Sequence, residues 1–349
     1  MPIVDIKRDK LFQILNKVYS ETEFDELLFD YGLELDDVID PVEERRKLYE
    51  SQLAACKNRK QRTALTKAFK EEEKKHAQGS CNAAASSSSS PSTTSSSSSN
   101  DVVYKVDLPA NRYDLLCIEG LSQCLLTFLE PSRPLANYRC VPPSDDNTLM
   151  LVDRSVVNQV RPVVVCGILR DIHFTQDSYD SFIQLQDKLH WNICRQRTLA
   201  SVGTHDLDTI QGPFKYTARA PKDIQFVPLS QTKSMNAIEL FDNIRQHQAH
   251  LAPYLHIIES SPLYPVIEDA KGRVLSLPPI INGEHSKITL NTRNVFIEVT
   301  ATDLTKANIV LNNIVCLFSQ YANDEKNKFC VHQVKIQNIS DGNNNNGKN

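Results

Sequence analysis

Glu298 and Thr300 stand two residues apart in VFIEVT (295–300), a tract that is otherwise β-branched or aromatic. In an extended chain that spacing puts both side chains on one face. Ser276 in VLSLPP and the nearby Asn282 add two more polar groups on or beside apolar runs. A carboxylate on an inner sheet face is costly unless it binds something. The pattern therefore fits two arrangements, a sheet face open to water or a face built to hold a polar ligand. His205 and Asp206 could form an acid–base pair, yet no Ser or Cys nucleophile motif accompanies them. SVGTHDLD (201–208) reads instead as a tight polar turn around Gly203 and Thr204.

The elements that must position these residues follow from local patterns. Runs 264–267 and Val274–Leu277 read as strands separated by the Lys271–Gly272 turn, the second stopped by Pro278 and Pro279. The tract 295–300 is a third strand, and Asp303 caps a helix over 304–321 whose core face is Ala307, Val310, Leu311, Ile314 and Phe318. Upstream, 3–6 reads as a strand and 10–19 as a helix. Ser20-Glu21-Thr22-Glu23 is a capping box opening a helix that Gly32 ends. A strand over 103–106 leads through Pro109 to a helix starting near Asp114, its expected N-cap; Arg112 beside it reads as buried against a carboxylate, with a phosphate contact as the alternative. The apolar run Val163–Leu169 suits a sheet centre. Residues 181–195 have helical spacing, 226–229 and 255–258 read as strands, and 326–336 holds one more.

Composition bounds the rest. The 349 residues carry 39 Lys and Arg against 43 Asp and Glu, a formal charge of −4, which does not advertise nucleic-acid binding. Nine cysteines occur without a CxxC pair, and Cys117, Cys124, Cys166 and Cys316 lie in apolar surroundings. That usage suits buried thiols in a reducing compartment rather than a zinc site or disulfide scaffold. The N-terminus does not read as a signal peptide, and no apolar run reaches membrane-spanning length, so the cytoplasm is expected. The organisation read from these patterns is α+β, with mixed α/β parts. A small module spans 1–40 and 101–130, interrupted at 41–100 by a charged helix and a Ser-rich tract (86–99) that buries too little to order. Within that segment KNRKQR (57–62) could touch phosphate, though an exposed helical face is the commoner reading. A connector at 131–155, a larger domain at 156–336 and an Asn-rich tail at 337–349 complete the chain.

At NRYDLLCIEGL (111–121), GTHDLDT (203–209) and LYPVIEDAKGRVLSLPPIING (263–283) the sequence closely resembles the phenylalanyl-tRNA synthetase β-subunit family of eukaryotic and archaeal type. The resemblance covers nearly all of 1–334 apart from the insert, and the chain reads as about the first half of such a subunit, truncated or a shortened paralogue. It implies a mixed-sheet editing domain within an assembly of two α and two β subunits. ATP, Mg²⁺ and phenylalanine would be bound by the α subunit, with no cofactor or metal on this chain. The partners implied are that α subunit and tRNA(Phe), with no membrane and no DNA. Editing would hydrolyse tRNA wrongly charged with tyrosine, using a positioned water. By position the family's editing residues fall on Ser276, Glu298 and Thr300, with Ile267 as apolar wall and Asn282 and His205 as further substrate contacts. Relatives commonly carry Gly where this chain has Ala301, which would crowd the pocket if backbone approach is needed there. A non-catalytic RNA-binding scaffold and a free-standing deacylase are the alternatives.

Overall fold

The structure is a computed structural model that describes residues 2–41 and 102–339, with isolated positions 43, 46, 47, 49, 53 and 66 between them. Most of the charged insert, the Ser-rich tract, the basic run 57–62 and residues 340–349 lie outside the described residues. The chain divides into two compact units, Ile3–Leu108 and a larger one from Pro109 onward.

In the smaller unit β1 (Ile3–Lys7), β2 (Glu34–Ile39) and β3 (Val103–Asp107) form an antiparallel sheet in the order β1-β3-β2. Helices α1 (Arg8–Leu15) and α2 (Glu21–Tyr31) supply its apolar cover through Leu11, Phe12, Leu15, Phe24 and Leu28. The capping box is present, Glu23 N–H donating to Ser20 Oγ and Ser20 N–H to Glu23 Oε2. Gly32 adopts φ +91° and ends α2. Phe12, Tyr19, Phe24 and Tyr104 pack ring against ring, with Phe24 and Tyr104 stacked at 5.1 Å.

The larger unit holds α3 (Ile118–Leu129), β4 (Arg139–Val141), β5 (Leu149–Val152), α4 (Arg154–Val157), β6 (Val163–Leu169), α5 (Gln176–Trp191), β7 (Ala200–Asp206) and β8 (Phe214–Arg219). Then follow β9 (Gln225–Phe226), β10 (Met235–Asn236), α6 (Ala237–His247), α7 (His256–Glu259), β11 (Tyr264–Glu268), β12 (Val274–Leu277) and β13 (Ile281–Asn282). β14 (Val295–Ala301), α8 (Leu304–Phe318), β15 (Cys330–Gln333) and β16 (Lys335–Asn338) complete it. Two sheets, β13-β12-β11-β8-β5-β16 and β4-β15-β6-β14-β7, face each other. The core between them joins Met150, Phe214, Tyr216, Ile267 and Leu275 from the first sheet to Val164, Cys166, Ile168 and Phe296 from the second. Helix α6 covers the outer face of the first sheet with Leu240, Phe241 and Ile244 against Tyr264, Val266 and Leu277. Helices α5 and α8 cover the second.

Several expectations need correction. SVGTHDLD is no turn: Ala200–Asp206 is a strand paired along its length with β14, because that ladder satisfies a backbone whose side chains alternate between two buried faces. Residues 255–258 lie in a 3₁₀-to-α turn rather than a strand, and the strand at 226–229 shortens to Gln225–Phe226. The connector 131–155 is structural, since LMLV joins the first sheet as β5 and RCV the second as β4. The helix expected near Asp114 begins at Ile118. Asp114 does not cap it but takes Arg112 in a bidentate pair at 2.7 and 2.9 Å. The segment 326–336 holds two strands, and the second runs to Asn338, inside the stretch expected as tail.

Glu119 at the start of α3 ties that helix to α5 and to the 3₁₀ turn Ser319–Tyr321 that follows α8 inside the larger unit. Its Oε1 accepts from Tyr321 OH at 2.7 Å and its Oε2 from Ser181 Oγ at 2.5 Å, and the residue is buried. Glu119→Ala leaves both hydroxyls without this acceptor and is expected to cost about 3 kcal/mol, measured as a lower urea midpoint at unchanged slope.

Candidate active site

β14 runs between β6 and β7 in unbroken antiparallel register, Glu298 standing opposite Cys166 on one side and Gly203 on the other. Alternation sends Phe296, Glu298 and Thr300 toward the facing sheet, where Phe296 meets Phe214 of β8 with ring centroids 4.3 Å apart. Ser276 Oγ on β12 donates to Glu298 Oε1 at 2.9 Å, so this contact crosses from one sheet to the other. Gly203 makes room for it: a Cβ there would fall 2.2 Å from Glu298 Oε1. Glu298 Oε2 is buried with no hydrogen-bond partner. Burial pushes the Glu298 carboxyl up to about 7, against the opposing pull of the Ser276 hydrogen bond and the Arg161 charge.

Beside this carboxylate opens a cleft of about 540 Å³. Ser276, Asn282 and Glu298 line it, with Ser201, His190, Gln186, Asp187 and Arg197 as further polar groups and Val202, Leu277 and Ile280 as apolar wall. Of the six residues singled out from sequence, three thus come together. Thr300 is fully buried beneath them and does not line the cleft. Its Oγ1 accepts from Arg161 Nε at 3.0 Å and lies 3.0 Å from Ser201 Oγ, which does. Asn282 Nδ2 donates to Thr204 O at 3.4 Å across the mouth of the two sheets. Ile267 packs in the core between Tyr216 and Leu275 and is absent from the cleft wall. His205 is buried against Phe296, its Nδ1 2.8 Å from Ser286 Oγ, and burial beside His285 brings it down to about 3. It too lies outside the cleft lining. Ala301, by alternation, faces the helix layer rather than the cleft, so its methyl does not crowd this site.

Four contributors escaped the sequence reading. Arg161 is 1% exposed, and its guanidinium donates to Thr300 Oγ1, Thr300 O, Thr198 O and Arg197 O. A lone cation abutting an apolar strand at Arg161-Pro162 was the available signal. Gly203, mid-strand rather than mid-turn, marks a close approach. His190 accepts from Val202 N–H through Nε2 at 2.9 Å, and burial, then the Arg197 and Arg161 charges, hold it well below its ordinary value. Arg197 donates through Nη1 to Pro279 O and Ile280 O and lies 4.4 Å over the Tyr254 ring. Among the described residues no group of three or more His, Cys, Asp or Glu is placed to hold a metal ion.

Two outcomes follow from this geometry. Gly203→Ala drives the Glu298 carboxylate off Ser276 and is expected to cost about 1–3 kcal/mol of unfolding free energy as an overpacked site. The second concerns pH. The Glu298 carboxyl titrates near 7 in the fold against 4.5 for the free group. Its protonated form therefore stabilises fully below the unfolded value, and that contribution, of order 3 kcal/mol, is lost as pH rises through about 7. Unfolding free energy measured between about pH 5 and pH 8 should fall more for the parent than for Glu298→Gln, which stays neutral.

Comparison with known proteins assigns the chain. Residues 1–131 match the Phe-tRNA synthetase beta subunit B1 domain and residues 169–313 the B3/4 domain. The chain is 48% identical over 336 residues to the phenylalanine–tRNA ligase beta subunit of Mus musculus, covering 96% of this chain and 49% of that protein. It is 49% identical to the Drosophila melanogaster beta subunit, with the same coverage, and 44% to the cytoplasmic one of Arabidopsis thaliana, covering 96% of this chain and 48% of that protein. The fold matches the crystal structure of an N-terminal fragment of the Pyrococcus horikoshii phenylalanyl-tRNA synthetase beta subunit with TM-score 0.70 at 24% identity, over 97% of this chain and 78% of that one. The chain spans about half the length of the curated relatives it matches. It belongs to the phenylalanyl-tRNA synthetase β-subunit family, of which it carries the B1 and B3/4 domains.

Proposed function

We propose that this chain serves phenylalanine–tRNA ligation as its editing component, hydrolysing tyrosine from mischarged tRNA(Phe) in the cleft beside Glu298. The observation that carries the reading is Glu298 Oε2, a buried carboxylate oxygen without a partner on a residue lining that cleft. A phenol is the group such an atom suits: its O–H donates one charge-assisted hydrogen bond, and its ring occupies the space beside Val202, Leu277 and Ile280. Phenylalanine lacks that donor and leaves the oxygen unpaired, so the site separates the two amino acids by what a buried polar atom loses. A synthetic pocket made for phenylalanine has no such lever against an added hydroxyl, and a second, hydrolytic sieve supplies it.

Ser276 keeps the carboxylate turned through Oε1, leaving Oε2 for the substrate. Thr300 is a positioning residue, holding Ser201 at the cleft wall while Arg161 holds Thr300. Hydrolysis then proceeds by a water placed against the ester. Ile267 and His205 support the site through the packing behind it. Within the whole ligase, ATP, Mg²⁺ and phenylalanine belong to an α subunit with which this chain assembles, and tRNA(Phe) is the shared substrate. The cytoplasm is the proposed compartment, in keeping with the name of the Arabidopsis relative. No helix among the described residues is long and apolar enough to cross a membrane.

The test is deacylation of tyrosyl-tRNA(Phe) by the chain and by Glu298→Ala. Loss of a charge-assisted hydrogen bond predicts a fall of about 10- to 100-fold in rate, with tRNA binding little changed. The parent's rate, corrected for spontaneous ester hydrolysis, should rise through about pH 7 as Glu298 ionises. Equal rates for parent and variant would sink the reading.

A further inference from the structure

Among the described residues, three that line the cleft carry a buried polar atom with no partner: Glu298 Oε2, His190 Nδ1 and Arg197 Nε. The first is an acceptor and the reading above uses it. The other two are nitrogens on residues of the same cleft lining, joined where Arg197 N–H donates to His190 O at 3.3 Å.

The state of His190 follows from its neighbours. β7 is the outermost strand of its sheet, so Val202 has an outward N–H with no strand to receive it. His190 reaches in from α5 and accepts that N–H through Nε2 at 2.9 Å. A nitrogen that accepts carries no hydrogen, so the ring's one hydrogen is on Nδ1. The residue is only 5% exposed, and Arg161 and Arg197 stand near enough to oppose a second proton. His190 is thus a neutral imidazole locked in one tautomer, with its single N–H unspent.

We propose that His190 Nδ1–H, supported by Arg197, is the hydrogen-bond donor that receives the acyl carbonyl oxygen of the bound tyrosyl ester during hydrolysis. This rests on the proposed editing function and assigns the other end of its substrate. A tyrosyl ester presents one strong donor, the phenol O–H, and one exposed acceptor, the ester carbonyl. Residues lining the cleft carry the complement, an orphan acceptor in Glu298 Oε2 and an orphan donor in His190 Nδ1, whose ring is held at Val202. In the step itself the water oxygen bonds to the acyl carbon, and the carbonyl π pair moves onto the oxygen held by His190. The C–O bond to the ribose then breaks as that pair returns. The ribose oxygen keeps the bonding electrons and takes a proton from the attacking water, giving free tyrosine and tRNA. The donor is bonded more strongly to the transient oxyanion than to the carbonyl, so it lowers the barrier more than it tightens binding.

Two substitutions separate this role from the structural one that His190 also fills. His190→Gln places an amide oxygen near the Nε2 position, where it accepts from Val202 N–H, but removes the donor at Nδ1. His190→Asn places an amide N–H near the Nδ1 position and abandons Val202. The 349-residue chain and both variants are compared for thermal midpoint, for deacylation kcat and KM on tyrosyl-tRNA(Phe), and for affinity for 3′-tyrosylamino-3′-deoxyadenosine, whose amide is not cleaved. The expected result for His190→Gln is a midpoint near the parent's, analogue affinity within about two-fold, and kcat lower by about 100-fold or more. His190→Asn melts earlier yet retains the larger kcat of the two. His190→Gln turning over like the parent overturns the proposal, as does a loss confined to analogue affinity with kcat intact. A parent that neither binds the analogue nor cleaves the ester overturns the editing reading and this inference with it, a pattern distinct from the other two.

Discussion

A guanidinium sealed between two sheets must find an acceptor for each N–H it brings, because no water reaches it. Arg161 meets most of that demand without a carboxylate. It spends its hydrogens on the hydroxyl and carbonyl of Thr300 and on the carbonyls of Arg197 and Thr198. That choice welds the end of β14 to the segment entering β7, and the cleft is the space left beside the weld. Thr300 orients Ser201, while Arg197, pinned by its own carbonyl, reaches on to the carbonyls of Pro279 and Ile280. The wall on one side of the cleft and the loop on the other are therefore set by one buried cation.

The same charge conditions the two groups that would meet a ligand. It favours the ionised form of Glu298, whose burial alone drives the carboxyl toward neutrality, and it disfavours protonation of His190. The outcome is a carboxyl poised near neutral pH in the lining of the same cleft as an imidazole that stays uncharged. Groups left with unpaired atoms in a buried cleft lower the stability of the fold that holds them, a cost that proteins carry mainly where a ligand offsets it. Gly203 belongs to this arrangement as much as the charged groups do, since any side chain there would occupy the volume of the carboxylate.

The smaller unit shows the contrast. Its helices and sheet close over rings of Phe12, Tyr19, Phe24 and Tyr104, its caps follow local rules, and it presents no buried unpaired cluster of this kind among the described residues. The B1 match spans this unit and continues through α3 of the larger one, whereas the B3/4 match lies wholly in the larger unit and holds the residues that line the cleft.

Much of what depended on near neighbours was readable from the sequence. The capping box at Ser20, the left-handed Gly32, the β-branched strand at Val295 and the cap at Asp303 rest on interactions spanning a few residues. Alternation alone put Glu298 and Thr300 on one face. Two misreadings were local, Asp114 pairing with Arg112 rather than capping and 255–258 forming a helical turn, and the larger ones arose where partners come from far along the chain. SVGTHDLD looks like a turn until β14, some ninety positions on, supplies its hydrogen bonds, and LMLV looks like connector until β8 and β16 flank it. Ser276 and Glu298 could be named separately, but their contact across two sheets could not, nor could the displacement of Ile267 and His205 into the packing behind the cleft. Sequence by itself determined the local elements and the residue types available for chemistry. Tertiary structure alone decided which of them meet, which are left unpaired and which charge governs them, because burial and electrostatics act through space rather than along the chain.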